Sequence, residues 1–483
     1  MLAFRPIFYL IGILLIILSG AMLAPTLVDL LLVDSDWEVF ALSSVITGTM
    51  GILMYLSNRP SGPISLTIRE IFFLTTASWV SLCVFASLPF LFSSLDLSFT
   101  DAFFEGTSAL TTTGATIIKG LDVAPRGILL WRALLQWLGG IGIIVMALTI
   151  LPILRIGGMQ LFHSEFSDRS EKILPRASQI SIAIFSTYFL LTLLCASALW
   201  LAGMLPFESI CNGMTTIATG GFSTSDASIG HYSDPAIKLV TIFFMLLGGS
   251  TLILFVRFGR GDSKAFLGDS QLRGYIFFLL SALAIIVTYH VFQNPLDPFT
   301  TILNTSFNVV SVLTTTGFSV SDYSVGTSFV TLAFFFLMFI GGCTGSTSGG
   351  IKIFRFQVLF AIARMHLKQL RRPHGVFVAT YNGKQITESV FSSVLTFFAL
   401  YGLSYAFLGV AFSLTGMDFL TSLSAAVSAV SNIGPGLGKV IGPGETYAPL
   451  SDAAKWIMMG GMFLGRLELL TIIVLFTPSF WKE

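Results

Sequence analysis

Four times along the chain a glycine-centred polar segment interrupts long apolar sequence: Thr111-Thr112-Thr113-Gly114, Ala218-Thr219-Gly220-Gly221, Thr314-Thr315-Thr316-Gly317 and Ser431-Asn432-Ile433-Gly434. Taking Gly114, Gly221, Gly317 and Gly434 as equivalent, the intervals are 221 − 114 = 107, 317 − 221 = 96 and 434 − 317 = 117 residues. Each unit is longer than a solenoid repeat, and has room for two membrane helices with a re-entrant loop between them. One such glycine reads as a surface turn; four in register predict a pore built fourfold from one polypeptide.

The register extends beyond the glycines. About 25 residues after each comes a glycine pair in the next apolar run: Gly139-Gly140, Gly248-Gly249, Gly341-Gly342 and Gly460-Gly461. Small residues at matching depth let inner helices approach one another and the axis. Thirteen residues before each key glycine stands Asp101, Glu208, Asn304 or Thr421, a polar residue suited to cap a short helix leading into the loop. Such a helix points its negative C-terminal end at the glycine segment, which favours a cation.

Composition agrees. The 483 residues are 54% hydrophobic and only 11% charged, with 46 phenylalanines. Apolar runs near 20 residues mark a polytopic membrane protein. Four cysteines without a CxxC pair indicate neither a disulfide framework nor a zinc site. The predicted fold class is an all-α integral membrane protein of four helix–pore-loop–helix repeats with two extra N-terminal transmembrane helices. Its divisions are residues 1–66 for the N-terminal pair, then repeats over 67–175, 176–272, 273–385 and 386–483. Starting inside, this ten-helix scheme places 19 Lys and Arg on the cytoplasmic side, 6 outside and Arg466 within a span. Acidic residues reverse the bias, with 16 outside, 8 inside and Glu468 within a span. The positive-inside rule then sets both termini in the cytoplasm and opens the loops to the outside. Long cytoplasmic connections are expected at Arg155 to Arg176, Arg257 to Arg273 and Arg364 to Lys384. The apolar run after Arg5 reads as an uncleaved first helix rather than a secretory signal.

The chemistry rests on backbone carbonyls. A desolvated alkali cation needs several oxygens in place of water, and rings of carbonyls supply them without a full charge in the membrane. Glycine permits the backbone angles that turn those carbonyls inward. The expected filter residues are Thr112, Thr113, Gly114, Thr219, Gly220, Gly221, Thr315, Thr316, Gly317, Asn432, Ile433 and Gly434, with Thr113, Thr219, Thr316 and Ile433 supplying the carbonyls just below the glycines.

A second feature lies in the third repeat. Phe329 to Leu367 is 39 residues, about 58 Å as a straight helix and too long for one bilayer crossing. Its middle reads Gly341-Gly342-Cys343-Thr344-Gly345-Ser346-Thr347-Ser348-Gly349-Gly350-Ile351-Lys352. Each glycine costs a helix about 1 kcal/mol, so the segment should break, either as a polar loop under the filter or as a flexible linker between a membrane helix and a cytoplasmic helix. Lys352 at its end serves as a gate element or a membrane-edge anchor. Arg466, deep in the last apolar run, should face a partner or an aqueous cavity, because a charge within the membrane is costly. Glu468 is a poor partner within the same helix, two residues away and on another face. A membrane-embedded enzyme using Glu105 or Glu208 as acid or base lacks a nucleophile or metal motif at compatible depth.

These segments, with Trp131-Arg132-Ala133, Gln136-Trp137-Leu138-Gly139-Gly140 and Gly461-Met462-Phe463-Leu464-Gly465-Arg466-Leu467-Glu468, resemble the Trk/Ktr/HKT superfamily of potassium transporters, most nearly the bacterial TrkH-type membrane subunit. The resemblance spans essentially the whole chain, including the two extra N-terminal helices. It implies potassium uptake across a bacterial inner membrane, with K+ (and Rb+) preferred over Na+; a serine at the first filter glycine marks some sodium-preferring plant relatives, and glycine stands at all four positions here. It further implies that the glycine-rich segment of repeat three gates the pore and that Arg466 lies in the pore below the filter. The chain should form a homodimer in the lipid bilayer and bind no nucleic acid. It should carry no cofactor beyond the K+ ion, nucleotide binding to a separate cytoplasmic RCK-type (TrkA-like) regulatory subunit. A sodium-coupled or sodium-permeable carrier of the same fold is the alternative.

Overall fold

The structure is a computed structural model and describes residues 3–32, 34, 36–60, 62, 64, 66–149, 177–262, 264–293, 297–324 and 327–482. The connection expected over Arg155 to Arg176 lies outside these residues.

Two N-terminal helices, Phe4–Leu32 and Trp37–Ser57, form a hairpin. Gly12 and Gly51 meet where they cross, so close that a Cβ on either would lie within 3 Å of the other's carbonyl oxygen. Ser19 and Ser44 exchange hydroxyl-to-carbonyl hydrogen bonds of 2.8 and 2.9 Å one level away. Small and hydroxyl residues at the crossing hold two apolar helices together where the hydrophobic effect between them is weak. The hairpin is joined to the first repeat by Asp29, whose Oδ1 accepts the Gly127 N–H at 2.5 Å, and by Glu70, which accepts the Ala3 N–H at 2.8 Å.

Each repeat has an outer helix, a short pore helix and an inner helix. The outer helices are Ile68–Ala86, Ala177–Leu201, Ser270–Gln293 and Glu388–Leu414. The pore helices are Phe99–Leu110, Pro206–Ile217, Pro298–Leu313 and Phe419–Ser431. Among the described residues seven helices are long and apolar enough to cross a membrane, and the fold is that of an all-α integral membrane protein.

The inner helices differ most from a plain two-helix repeat. The first, Arg126–Thr149, is continuous. The second divides into Pro235–Gly248 and Leu252–Gly259, bent by 93°. The third divides into Ser328–Leu337 and Ile353–Arg371 around the glycine-rich segment, as its length predicts. The fourth ends at Arg466 and turns through 113° into Leu469–Phe476, with Glu468 at the corner at φ +59°. The second and fourth inner helices are thus bent. Gly248-Gly249-Ser250-Thr251 and Gly465 stand at these corners, where weak helix formers yield to bonds with neighbouring segments.

The pore-helix caps also shift. Ser98, Asp297 and Asp418 accept the free N–H groups of the first, third and fourth pore helices. Asp101 and Thr421, expected as caps, each lie three residues further on and donate their backbone N–H to Ser98 and Asp418.

Candidate functional site: a fourfold backbone ring above a polar loop

The pore helices deliver four loops with one backbone geometry. After each helix, the N–H of one residue bonds back five positions: Thr113 to the Ser108 carbonyl (2.9 Å), Gly220 to Thr215 (2.9 Å), Thr316 to Ser311 (2.8 Å) and Ile433 to Ser428 (3.1 Å). The residues just before these, Thr112, Thr219, Thr315 and Asn432, are left-handed with φ of +51°, +47°, +55° and +53°, and the glycines that follow have φ of +83°, +79°, +85° and +101°. Left-handed backbone at a side-chain-bearing residue costs about 1–2 kcal/mol. Its repetition in all four loops makes it part of the design rather than a local accident. The bonds also settle the register of the second loop. Gly220, not Thr219, matches Thr113, Thr316 and Ile433, while Thr219 matches Thr112.

The loops close on one another in order. A Cβ built on Gly114 would fall on the Gly220 carbonyl oxygen; one on Gly221 would fall on Thr316 O, one on Gly317 on Ile433 O, and one on Gly434 close to Thr113 O. Each glycine therefore packs against the carbonyl of the residue before the glycine in the next repeat, and the fourth returns to the first. No residue with a side chain fits these four positions without opening the ring. All four glycines line a single cavity of about 350 Å³, which the exposed Lys119, Asp226 and Glu445 also line.

Beneath the ring lies the loop of repeat three. Its ends are tied by a Gly341 N–H bond to the Ile351 carbonyl (3.0 Å) and an Ile351 N–H bond to Phe339 (3.1 Å). Cys343, Thr344, Ser346, Thr347 and Ser348 are all buried within it. It reaches up to the filter loops through Thr347 Oγ1, 3.1 Å from Thr219 Oγ1, and through the Gly349 N–H, 2.6 Å from Thr315 Oγ1. It also bonds to the bend of the second inner helix: the Gly249 carbonyl accepts from Cys343 N (2.8 Å) and the Gly345 carbonyl from Leu252 N (3.1 Å). Gly342 packs against the same Gly249 carbonyl, and Gly350 has φ +65° at the loop's exit. The Lys352 ammonium turns back onto the Ser348 carbonyl at the end of the loop.

Arg466 ends the fourth inner helix and is 3% exposed. Its guanidinium donates to the Thr347 carbonyl (2.9 Å) and to the Gly139 carbonyl (3.1 Å). Glu468 pairs instead with Arg355 at 2.7 Å, and Arg355 stacks 3.5 Å from the Phe397 ring centroid. The space lined by the loop, Arg466 and Glu468 is a cavity of only about 30 Å³, room for roughly one water.

A wide cup thus lies on one side of the closed ring of glycines and carbonyls, and a nearly filled space on the other. Residues 38–483 match the model of a family described as "TrkH: Cation transport protein". The chain belongs to the TrkH family.

Among relatives of this TrkH-family chain, the Trk system potassium uptake protein TrkI of Halomonas elongata is 44% identical over 99% of this chain and 97% of its own. The Trk system potassium uptake protein TrkH of Escherichia coli K12 is 38% identical over 99% and 100%. The crystal structure of the potassium transporter TrkH from Vibrio parahaemolyticus superposes with a TM-score of 0.91 at 36% identity, covering 100% of both chains. TrkH membership places the chain among multi-pass membrane transport proteins and not among enzymes. The carboxylates considered for an enzyme are engaged structurally. Glu105 accepts from Arg132 Nε (2.8 Å), Ile117 N (2.9 Å) and Thr116 Oγ1 (3.0 Å), and Glu208 accepts from the Tyr232 hydroxyl (2.8 Å).

Two further features of this TrkH-family site differ from the sequence reading. The fourth glycine that matches Gly139 and Gly248 is Gly465, not Gly460 or Gly461. Gly139, Gly248 and Gly465 each press on the last turn of their own pore helix, at the carbonyls of Leu110, Ile217 and Val430. A Cβ on Gly460 meets nothing within 4 Å. Sequence reasoning also missed the polar clasp of Arg132 and Gln136 on the second loop; its only signal was two polar residues one helical turn apart within an apolar run.

Proposed function

We propose that this chain carries potassium inward across the bacterial cytoplasmic membrane through the ring formed by Gly114, Gly221, Gly317 and Gly434. The observation that supports it most is the closure of that ring, where four carbonyls from Thr113, Gly220, Thr316 and Ile433 pack in order against four glycines. Carbonyl dipoles replace the hydration shell of K+ or Rb+ without a fixed charge, and the negative ends of the four pore helices add to the attraction. The names of the relatives, potassium uptake proteins of a Trk system, support the same substrate. The loop from Gly341 to Lys352 is the gate in this reading: it fills the space under the ring and must withdraw for an ion to pass. Arg466 holds it there through the Thr347 carbonyl and places a positive charge where a leaking cation would stand.

The acting form is a homodimer whose cytoplasmic face docks a nucleotide-binding RCK-type subunit, with both termini on that side. The basic end of Ile353–Arg371, carrying Lys368 and Arg371, continues directly from the gate and gives such a partner a lever on it. Uptake of K+, Rb+, Cs+, Na+ and Li+ by proteoliposomes holding the purified chain tests the transport reading. Potassium and rubidium uptake well above sodium supports it. Sodium uptake equal to potassium, with the ring intact, turns the reading to a sodium-permeable carrier of the same fold.

A further inference from the structure

The four filter strands share a backbone but are not held alike. In the first and third, the threonine three places before the glycine braces the threonine one place before it: Thr111 Oγ1 lies 2.8 Å from Thr113 Oγ1, and Thr314 Oγ1 lies 2.7 Å from Thr316 Oγ1. The fourth is held from outside by the Tyr447 hydroxyl and Ser428 Oγ, which donate to the Gly434 carbonyl at 2.7 and 2.8 Å. The second strand has Ala218 and Gly220 at the two threonine positions and so has no internal brace.

Gln136 takes the place of that brace. Its Nε2 donates to the Gly220 carbonyl at 2.6 Å, and its Oε1 accepts the Phe222 N–H at 3.1 Å, so one buried amide spans Gly221 from both sides. A Cβ at Gly220 would collide with this amide, which explains why the strand has glycine where the others have Thr113, Thr316 and Ile433. Counting from the glycines that touch the pore-helix ends, Gln136 stands three residues before Gly139. The matching residues before Gly248 and Gly465 are Met245 and Met462, both fully buried. The exchange of methionine for glutamine on the helix and of a side chain for glycine on the strand is therefore confined to one of these seams. Arg132, one turn earlier on the same face, extends the clasp. It donates to the Ser223 carbonyl at 3.0 Å and lies 4.0 Å from the Phe222 ring centroid.

We propose that Gln136 is a positioning residue that sets cation discrimination, by fixing the Gly220 carbonyl in the ring and holding the strand around Gly221 against expansion or collapse. The carbonyl it bonds is the one packed against Gly114, so any slack at Gln136 changes the size of the ring. This inference rests on the ring being the filter for potassium.

The test compares the full chain with Gln136→Leu and Gln136→Glu in proteoliposomes, reading the ratio of initial K+ to Na+ uptake rates beside the melting temperature in detergent. Leucine removes both hydrogen bonds. Glutamate keeps the acceptor for Phe222 N–H but loses the donor to Gly220, so it serves as the second arm should leucine fail to fold. The K+ to Na+ ratio should fall about fivefold for each hydrogen bond lost, further in the leucine variant than in the glutamate, with no comparable change in Met245→Leu. A wild-type ratio in a folded Gln136→Glu or Gln136→Leu chain overturns the role of Gln136. A wild-type chain that itself takes up Na+ as fast as K+ overturns the filter reading beneath it, and the two failures are distinct.

Discussion

Arg466 closes the last inner helix with its charge on two backbone carbonyls and, among the described residues, no carboxylate. Its depth in an apolar run was legible from the sequence; its partners were not, because they come from Thr347 and Gly139, more than a hundred residues away in the chain. Hydrogen bonds to a charged group are worth about 1.5–3 kcal/mol each, so Arg466→Ala should raise uptake by the chain alone at least about fivefold. Arg466→Lys, which keeps the charge on a single compact group, should leak less than the alanine variant. Tracer uptake without any partner subunit checks both, and an unchanged rate in the alanine variant would remove Arg466 from the gate. Glu105 is the structural counterpart. Both it and Arg132 are fully buried and paired at 2.8 Å, so Glu105→Ala strands a buried guanidinium at a cost of about 3–5 kcal/mol. A lowered melting temperature, partly recovered by Glu105→Asp, is the expected result.

At the scale of elements, the loop from Gly341 to Lys352 shows what composition can announce. Five glycines in ten residues said that no helix would survive there, and none does. The bends after Gly248 and at Leu467 were not announced, because their causes are tertiary. The first is the bonding of Gly249 and Leu252 to the glycine-rich loop; the second accompanies the Glu468–Arg355 pair. Local propensity carries no information about such partners. Repeats two, three and four thus all break, and the loop is bonded to the second directly and to the fourth through Arg466. Gly345→Pro tests this joint. Gly345 has φ +75°, which proline cannot adopt, and its carbonyl holds Leu252. The variant should raise unregulated uptake while leaving the K+ to Na+ ratio unchanged; a shifted ratio with normal gating would assign the loop to selectivity instead.

For the whole molecule, the fourfold plan was readable from the spacing of the glycines, since a ring that closes on itself demands the same backbone four times. Its seams were not readable. Lys455 of the last inner helix reaches Asp101 of the first pore helix at 2.6 Å, and Lys238 of the second inner helix reaches Asn304 of the third pore helix at 3.0 Å. The first of these closes the circle between repeats four and one. Lys455→Met should therefore weaken the fold by about 1.5–3 kcal/mol, seen as a lower melting temperature at an unchanged ion ratio, whereas a changed ratio would tie that seam to the filter. The central claim is that the four glycines and the carbonyls before them surround the ion. Its most direct test is the anomalous scattering of Rb+ in crystals of the chain. The account predicts a peak on the axis enclosed by the carbonyls of Thr113, Gly220, Thr316 and Ile433. Rubidium that is taken up by the same protein but bound nowhere within that ring would contradict it.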